Sequence, residues 1–183
     1  MGVSKIAVYD HDLIENHNIP NQIYRLADIG RPKVEALADV CREFAGCEIV
    51  TNQEKVGPSH VFTGIIASGV DSMAARKEIW QSIKNNPRIP LYIDARTGGE
   101  VLRLHAVRPC NRTDQTWYET RLYSDEQASD LPCTGQAILY NLFMAASLIG
   151  RQIAKHVRGE KIPREIIFDM KTLSLLIPGA KEE

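Results

Sequence analysis

Short apolar runs rich in β-branched residues alternate along this chain with segments whose apolar residues return every three or four positions. That alternation narrows the open folds more than any other feature. Residues 5–10 form a brief apolar run closed by a carboxylate, Asp10, and read as a buried strand. Val34, Leu37, Ala38, Cys41 and Phe44 recur at helical spacing over about 32–45, with Pro32 where a first turn tolerates proline and Gly46 placed to stop the helix. Residues 48–50 and 61–68 read as strands, and 72–84 as a helix capped by Asp71 or Ser72 and ended by Asn85-Asn86-Pro87. Residues 91–94 and 101–107 are two more strands about the Gly98-Gly99 turn, and 116–123 alternates enough to be another. An acidic loop over 124–132 leads to a long helix, about 134–158, ended by Gly159, and then to closing strands at 165–168 and 173–177. Strand, helix, strand, helix, strand implies a parallel α/β sheet, and the later strand pairs joined by short turns imply an antiparallel extension.

The bulk properties exclude several classes. A chain of 183 residues, 44% hydrophobic and 25% charged, fits one soluble domain spanning 1–183. A net charge of -1 supplies no global field for nucleic acid or an anionic membrane, so any anion site must be built locally. Cys41, Cys47, Cys110 and Cys133 make no C-x-x-C pair, and the histidines show no metal-ligand spacing, so no zinc is expected. Few cysteines and no signal peptide point to a reducing, cytoplasmic setting. The longest apolar stretch, 137–149, is too short to span a bilayer and reads as a core helix.

The residues that carry chemistry concentrate after the first strand. A carboxylate at the C-terminal end of a parallel strand, here Asp10, faces the ligand crevice of such a sheet and can accept both ribose hydroxyls. Lys33, at a helix start, would meet a phosphate with both its ammonium and the helix dipole. Either residue alone is as readily a turn former or a solvated side chain. Asp71, at the end of another strand, is placed to cap the next helix. Cys133 precedes a long helix whose N-terminus would favour the thiolate; the alternative is a small residue buried under the acidic loop.

Taken together, Asp10, Asp12, Ile14, Glu15, Asn18 and Gln22, in the pattern D-x-D-x-[IV]-E-x-x-N-x-x-x-Q, followed by Asp28-x-Gly30-x-x-Lys33, resemble the signature of the ThiF/MoeB/ubiquitin-activating (E1-like) adenylyltransferase superfamily. Ala67 to Ser72 followed by Arg76 is similar to that family's strand-end motif, and the likeness runs from about Gly2 to Leu176. It implies a Rossmann-like sheet and ATP-dependent adenylation of the C-terminal glycine of a ubiquitin-like or sulfur-carrier protein. It also implies an ATP pocket shaped by Asp12, Asn18 and Gln22, with Asp10 on the ribose, Lys33 on the phosphates and Asp71 on Mg2+. By the same resemblance Cys133 would attack the acyl-adenylate to form a thioester, residues 94–100 would line the groove for the carrier's tail, and the protein would be a homodimer or pair with a complementing chain.

Two departures qualify the likeness. The family places an arginine before the glutamine of its N-x-x-R-Q motif, where this chain has Asn21. Its opening strand and G-x-G-x-x-G turn would precede Gly2, and no such glycine pattern occurs in these residues. The chain therefore reads as N-terminally truncated relative to the family, and ATP binding by these residues alone is expected to be weak. The alternative is a catalytically inactive half that serves as a binding or dimerisation module. A nicotinamide-dependent dehydrogenase would also use an acidic residue after its second strand, but leaves Asp12, Asn18 and Lys33 unexplained.

Overall fold

The computed structural model describes residues 5–123 and 139–179. The chain divides into two compact units, Met1–Val56 and Gly57–Glu183. In the first, β1 (Ala7–Tyr9) runs parallel to β2 (Val50–Asn52), with Ala7 opposite Val50 and Tyr9 opposite Asn52. Between them lie two 3-10 turns, Asn16–Asn18 and Leu26–Asp28, and helix α1 (Lys33–Ala45). The helix buries Val34, Ala36 and Ala38, and Gly46 ends it in the left-handed region, its N–H bonding back to the Arg42 carbonyl. Phe44, expected on the buried stripe, is instead largely exposed in the last turn of the helix.

The second unit is a five-stranded sheet in the order β3-β4-β5-β6-β7, with β3 (Ile66–Ser68), β4 (Tyr92–Gly98), β5 (Val101–Val107), β6 (Glu165–Asp169) and β7 (Ser174–Leu176). β3 and β4 are parallel, joined by α2 (Met73–Ile83); every later pair is antiparallel. The architecture is thus α/β and Rossmann-like, a parallel core with an antiparallel extension, as the alternation of elements implied. The strand expected over 61–68 shortens to Ile66–Ser68, and Val61 is exposed.

One expectation fails. Residues 116–123 are not a strand: helix α3 (Arg112–Glu119) occupies this stretch, capped by Asn111, whose side chain accepts the Asp114 N–H at 3.0 Å. Thr116, Trp117, Tyr118 and Thr120 favour strands as individual residues, but Asp114, Gln115 and Tyr118 bury one helical face, and tertiary burial overrides local preference.

Strand alternation gives this sheet two different faces. Leu91, Ile93 and Ala95 of β4 and its approach pack with Leu104, Ala106 and Ile166. Ile149 and Ile153 of helix α4 (Leu139–Val157) lie against that cluster. Tyr92, Asp94 and Arg96 point the other way. There Trp80 of α2 and Tyr118 of α3 pack with Tyr92 in an aromatic group, ring centroids 4.7 to 6.1 Å apart. Among the described residues no helix is long and apolar enough to cross a membrane.

Candidate functional site

β1 delivers Asp10 at its C-terminal end, where the Asp10 N–H still bonds the Asn52 carbonyl of β2 at 3.2 Å. The chain then turns: Asp10 Oδ1 accepts the Asp12 N–H at 2.9 Å. It pairs with the approach to α1 through the Leu13–Pro32 bridge and reciprocal bonds of Ile14 with Gly30 and Arg31. This pairing fixes Lys33 against Asp12 twice. The Lys33 N–H donates to the Asp12 carbonyl at 3.0 Å, and the Lys33 ammonium lies 2.7 Å from Asp12 Oδ2. The lysine side chain is 11% exposed and its partner carboxylate 48%. That hydrogen bond from Lys33 holds the Asp12 carboxyl below its ordinary value, against a smaller upward push from burial.

The two 3-10 turns separate Asp12 from Lys33 along the chain. Asn18 is buried and closes the first turn, its Oδ1 accepting the Glu15 N–H at 2.9 Å. Asp28 closes the second: Oδ2 accepts the Arg25 N–H and Oδ1 pairs with Arg31 at 2.7 Å, which in turn reaches Asp39 at 2.6 Å. Gln22 is half-buried in the turn between them. Asn21, where the resembled family has arginine, donates its amide to the His17 carbonyl at 3.3 Å. A cavity of about 430 Å3 opens beside Leu13 to His17, Ile29 and Gly30. Tyr24, which sequence reasoning passed over, also belongs here. Burial first, then the fields of Asp10, Asp12 and Asp28, push its phenol up to about 12. A tyrosine alone in a polar stretch carries no spacing signal that could have found it.

Asp10, His11 and Asp12 each offer a ligand atom, all within 4.8 Å of one another, so this turn could also accept a cation.

In the second unit Asp71 lies just past β3 and is exposed. Ser72, not Asp71, caps α2, its hydroxyl accepting the Ala75 N–H at 3.2 Å. The capping alternative raised for Asp71 is therefore filled by its neighbour. Arg76 ties this turn down: its Nη2 donates to the Val70 carbonyl and its Nε to Asp94 at 3.1 Å. Asp94, wholly buried, also accepts from Arg96 at 2.7 Å and from the Tyr118 hydroxyl at 2.9 Å. Across the strands Asp94 stands opposite His105, and His105 opposite Glu165, so three titratable groups form one row. Burial pushes the Asp94 carboxyl up, but His105, Arg96 and Arg76 outweigh it and hold the group well below the carboxylate range. This hub was not read from sequence, because its members are distant in the chain and meet only through strand register. At the β4–β5 turn Asn141 of α4 donates to the Gly99 carbonyl at 2.6 Å, and Tyr140 donates to Glu100 at 2.9 Å.

Of the expected site residues, the first unit brings Asp10, Asp12 and Lys33 together, with Asn18 and Gln22 on the turns beside them. Asp71 belongs to the second unit. Cys133 lies outside the described residues. Of the other cysteines, Cys41, Cys47 and Cys110 are free thiols, and burial pushes the Cys41 thiol up, away from reactivity.

Comparison with known proteins bears on the fold and the family. A selenomethionine crystal structure of PaaA superposes with a TM-score of 0.64 at 19% identity, over 92% of this chain and 62% of that one. The crystal structure of E. coli MccB with succinimide gives 0.68 at 14% identity, over 96% of this chain and 55% of MccB. MccB with ATP gives 0.66 at 16% identity, over 96% and 56%. The chain thus spans rather more than half the length of these solved structures, and at such identities the likeness is one of fold. No curated protein matches the chain by sequence. The model of the ThiF family matches residues 1–174, nearly the whole chain, and the chain belongs to the ThiF family.

Proposed function

We propose that this chain takes part in the ATP-dependent adenylation of the C-terminal glycine of a ubiquitin-like or sulfur-carrier protein. The observation that carries this reading is the Lys33–Asp12 pair: a nearly buried ammonium in the first turn of α1, matched by a half-exposed carboxylate. A buried cation needs an anion. Asp12 has water to fall back on, so an entering phosphate can take its place on Lys33 with little loss. Asp10 supplies the complementary contact. Its Oδ1 holds the turn, and Oδ2 remains for a ribose diol at the strand end. E. coli MccB has been solved with ATP, which supports ATP as the nucleotide for this family member.

ATP would supply the adenylyl group, with Mg2+ to offset phosphate charge; the exposed Asp71 carboxylate is the proposed Mg2+ ligand. The residues of this chain then position and neutralise, and electrostatic placement is the main contribution such a reaction needs. Cys133 is the proposed thiol that afterwards takes the acyl group from the acyl-adenylate, its sulfur replacing the phosphate oxygen on the carbonyl carbon as AMP leaves. MccB has also been solved with MccA, which supports a polypeptide as the other substrate. A homodimer, or a complementing chain, is the proposed assembly, and the cytoplasm the proposed setting.

The test is carrier-dependent ATP–pyrophosphate exchange, on this chain and on a version extended upstream. Exchange is expected from the extended version and little from this chain alone, and in the extended version Lys33→Ala should lower it by roughly two to three orders of magnitude while Cys133→Ser leaves it intact and abolishes the thioester. A second reading, the inactive half, is favoured by Asn21, whose amide is turned to its own backbone and offers no charge to a polyphosphate. Folded protein that exchanges in neither version, with a carrier proven on another enzyme, would replace the first reading with the second.

A further inference from the structure

Trp117 of α3 borders a groove of about 500 Å3, remote in the chain from Asp10, Lys33 and Asp71, that is walled by Arg112, Thr113, Thr116, Thr120 and Arg164. The guanidinium carbons of Arg121 and Arg164 lie over its indole at 4.6 and 5.4 Å, and His105 meets the ring edge-on at 5.5 Å. The surroundings are cationic. Arg103 and Arg121 share Glu165, and Arg108 and Arg164 share Asp114. Arg112 has no ion pair within 4.0 Å among the described residues. Four arginines share two carboxylates, Arg112 adds a fifth cation, and Glu119 nearby is held by Lys84, which leaves a local positive surplus on a chain whose net charge is -1.

The hydroxyls decide what kind of anion fits. Thr116 Oγ1 donates to the Arg112 carbonyl at 3.1 Å and Thr120 Oγ1 to the Trp117 carbonyl at 2.7 Å. Thr120 Oγ1 also accepts from Arg121 Nη1 at 2.8 Å, so Thr116 is the hydroxyl that keeps its lone pairs for a ligand. A ligand matching both features carries anions for the arginines and an N–H donor for Thr116. An acidic polypeptide has both. A nucleic-acid backbone has no N–H to give, and the indole surface on which a base would stack already carries guanidinium groups.

We infer that this groove binds an acidic segment of a partner protein, with its Asp or Glu carboxylates on Arg112 and Arg164 and a backbone N–H on Thr116. The inference is independent of the adenylation reading, since it involves neither nucleotide nor the residues around Lys33.

Trp117 is the reporter, because Trp80, the other tryptophan, is buried against Tyr92 and Tyr118. Tryptophan fluorescence is titrated without nucleotide against acetylated, amidated hexaglutamate, hexaglutamine and a thymidine hexanucleotide. The expected result is a saturable change with hexaglutamate alone, weakened by salt and by at least about tenfold in Arg112→Gln/Arg164→Gln. Arg112→Gln by itself alters an exposed side chain with no ion pair among the described residues, so it must lose part of the affinity even if the double variant misfolds. The inference is overturned by no saturable change at millimolar hexaglutamate, by salt-independent binding, by unaltered affinity in Arg112→Gln, or by equal or tighter binding of hexaglutamine or the oligonucleotide.

Discussion

Asp94 is the residue on which the second unit turns. It is wholly buried and neutralises two guanidiniums that would otherwise lie in the core without counter-charge, Arg76 from α2 and Arg96 from its own strand. Removing one member of a buried ion pair costs far more than the pair is worth against an apolar replacement, because the stranded partner keeps its desolvation penalty. Asp94→Asn is nearly isosteric and leaves the aromatic packing of Tyr92 and Tyr118 in place. It should nevertheless lower the unfolding free energy by about 3–5 kcal/mol, read as a reduced denaturation midpoint at unchanged m-value. A loss of only a few tenths would mean that the arginines reach other acceptors. Lys33 and Asp12, by contrast, were each singled out from the sequence by their places in a motif, though their ion pair came only with the fold. Asp94 was singled out only within the 94–100 segment expected to line a groove for the carrier's tail, and its role as a buried hub arises only when register sets it beside His105 and α2 brings Arg76 across.

Among elements, the turn entering α1 shows how local chemistry serves the site. Gly30 sits at φ +86, and a Cβ there would meet nothing within 4 Å, so its requirement is conformational and not steric crowding by neighbours. Gly30→Ala should therefore destabilise by about 1–2 kcal/mol, the cost of forcing an L-residue into the left-handed region. Gly150 provides the opposite case. It lies inside α4 with equally open space around its Cα, so Gly150→Ala should gain up to about 1 kcal/mol of helix propensity. Paired thermal denaturation of the two variants checks the contrast; shifts of the same sign would refute it. Elements with strong periodicity or clear stops, such as α1, α2 and α4, were legible from sequence. Helix α3 was not, because its exposed face is built from Thr113, Thr116, Trp117 and Thr120, residues that imitate strand alternation. The overlooked clue was Asn111 with Asp114 three places on, a capping signal that the structure uses.

For the molecule as a whole, the balance of charge makes acid the informative perturbation. Asp12, Asp39, Glu48, Glu119 and Glu160 are all held below their ordinary values by hydrogen bonds from lysine or arginine, but these groups are largely exposed and solvent screens what they contribute. Asp94 is different, since His105, Arg96 and Arg76 act on it in the interior, out of reach of salt. An unfolded aspartate takes up its proton near pH 3.9, about the model-peptide value. In the folded chain the same carboxyl protonates only at much lower pH. Below about pH 4 the unfolded state therefore binds more protons than the native one, and stability falls as pH falls toward the folded value. Urea denaturation across a pH series should show a plateau above about pH 5 and a steep decline below about 4. High salt should flatten the part due to the exposed pairs and leave a residual slope of up to about one proton, which Asp94→Asn should remove. If salt alone abolishes the decline, the surface pairs and not the buried hub govern the acid stability of the fold.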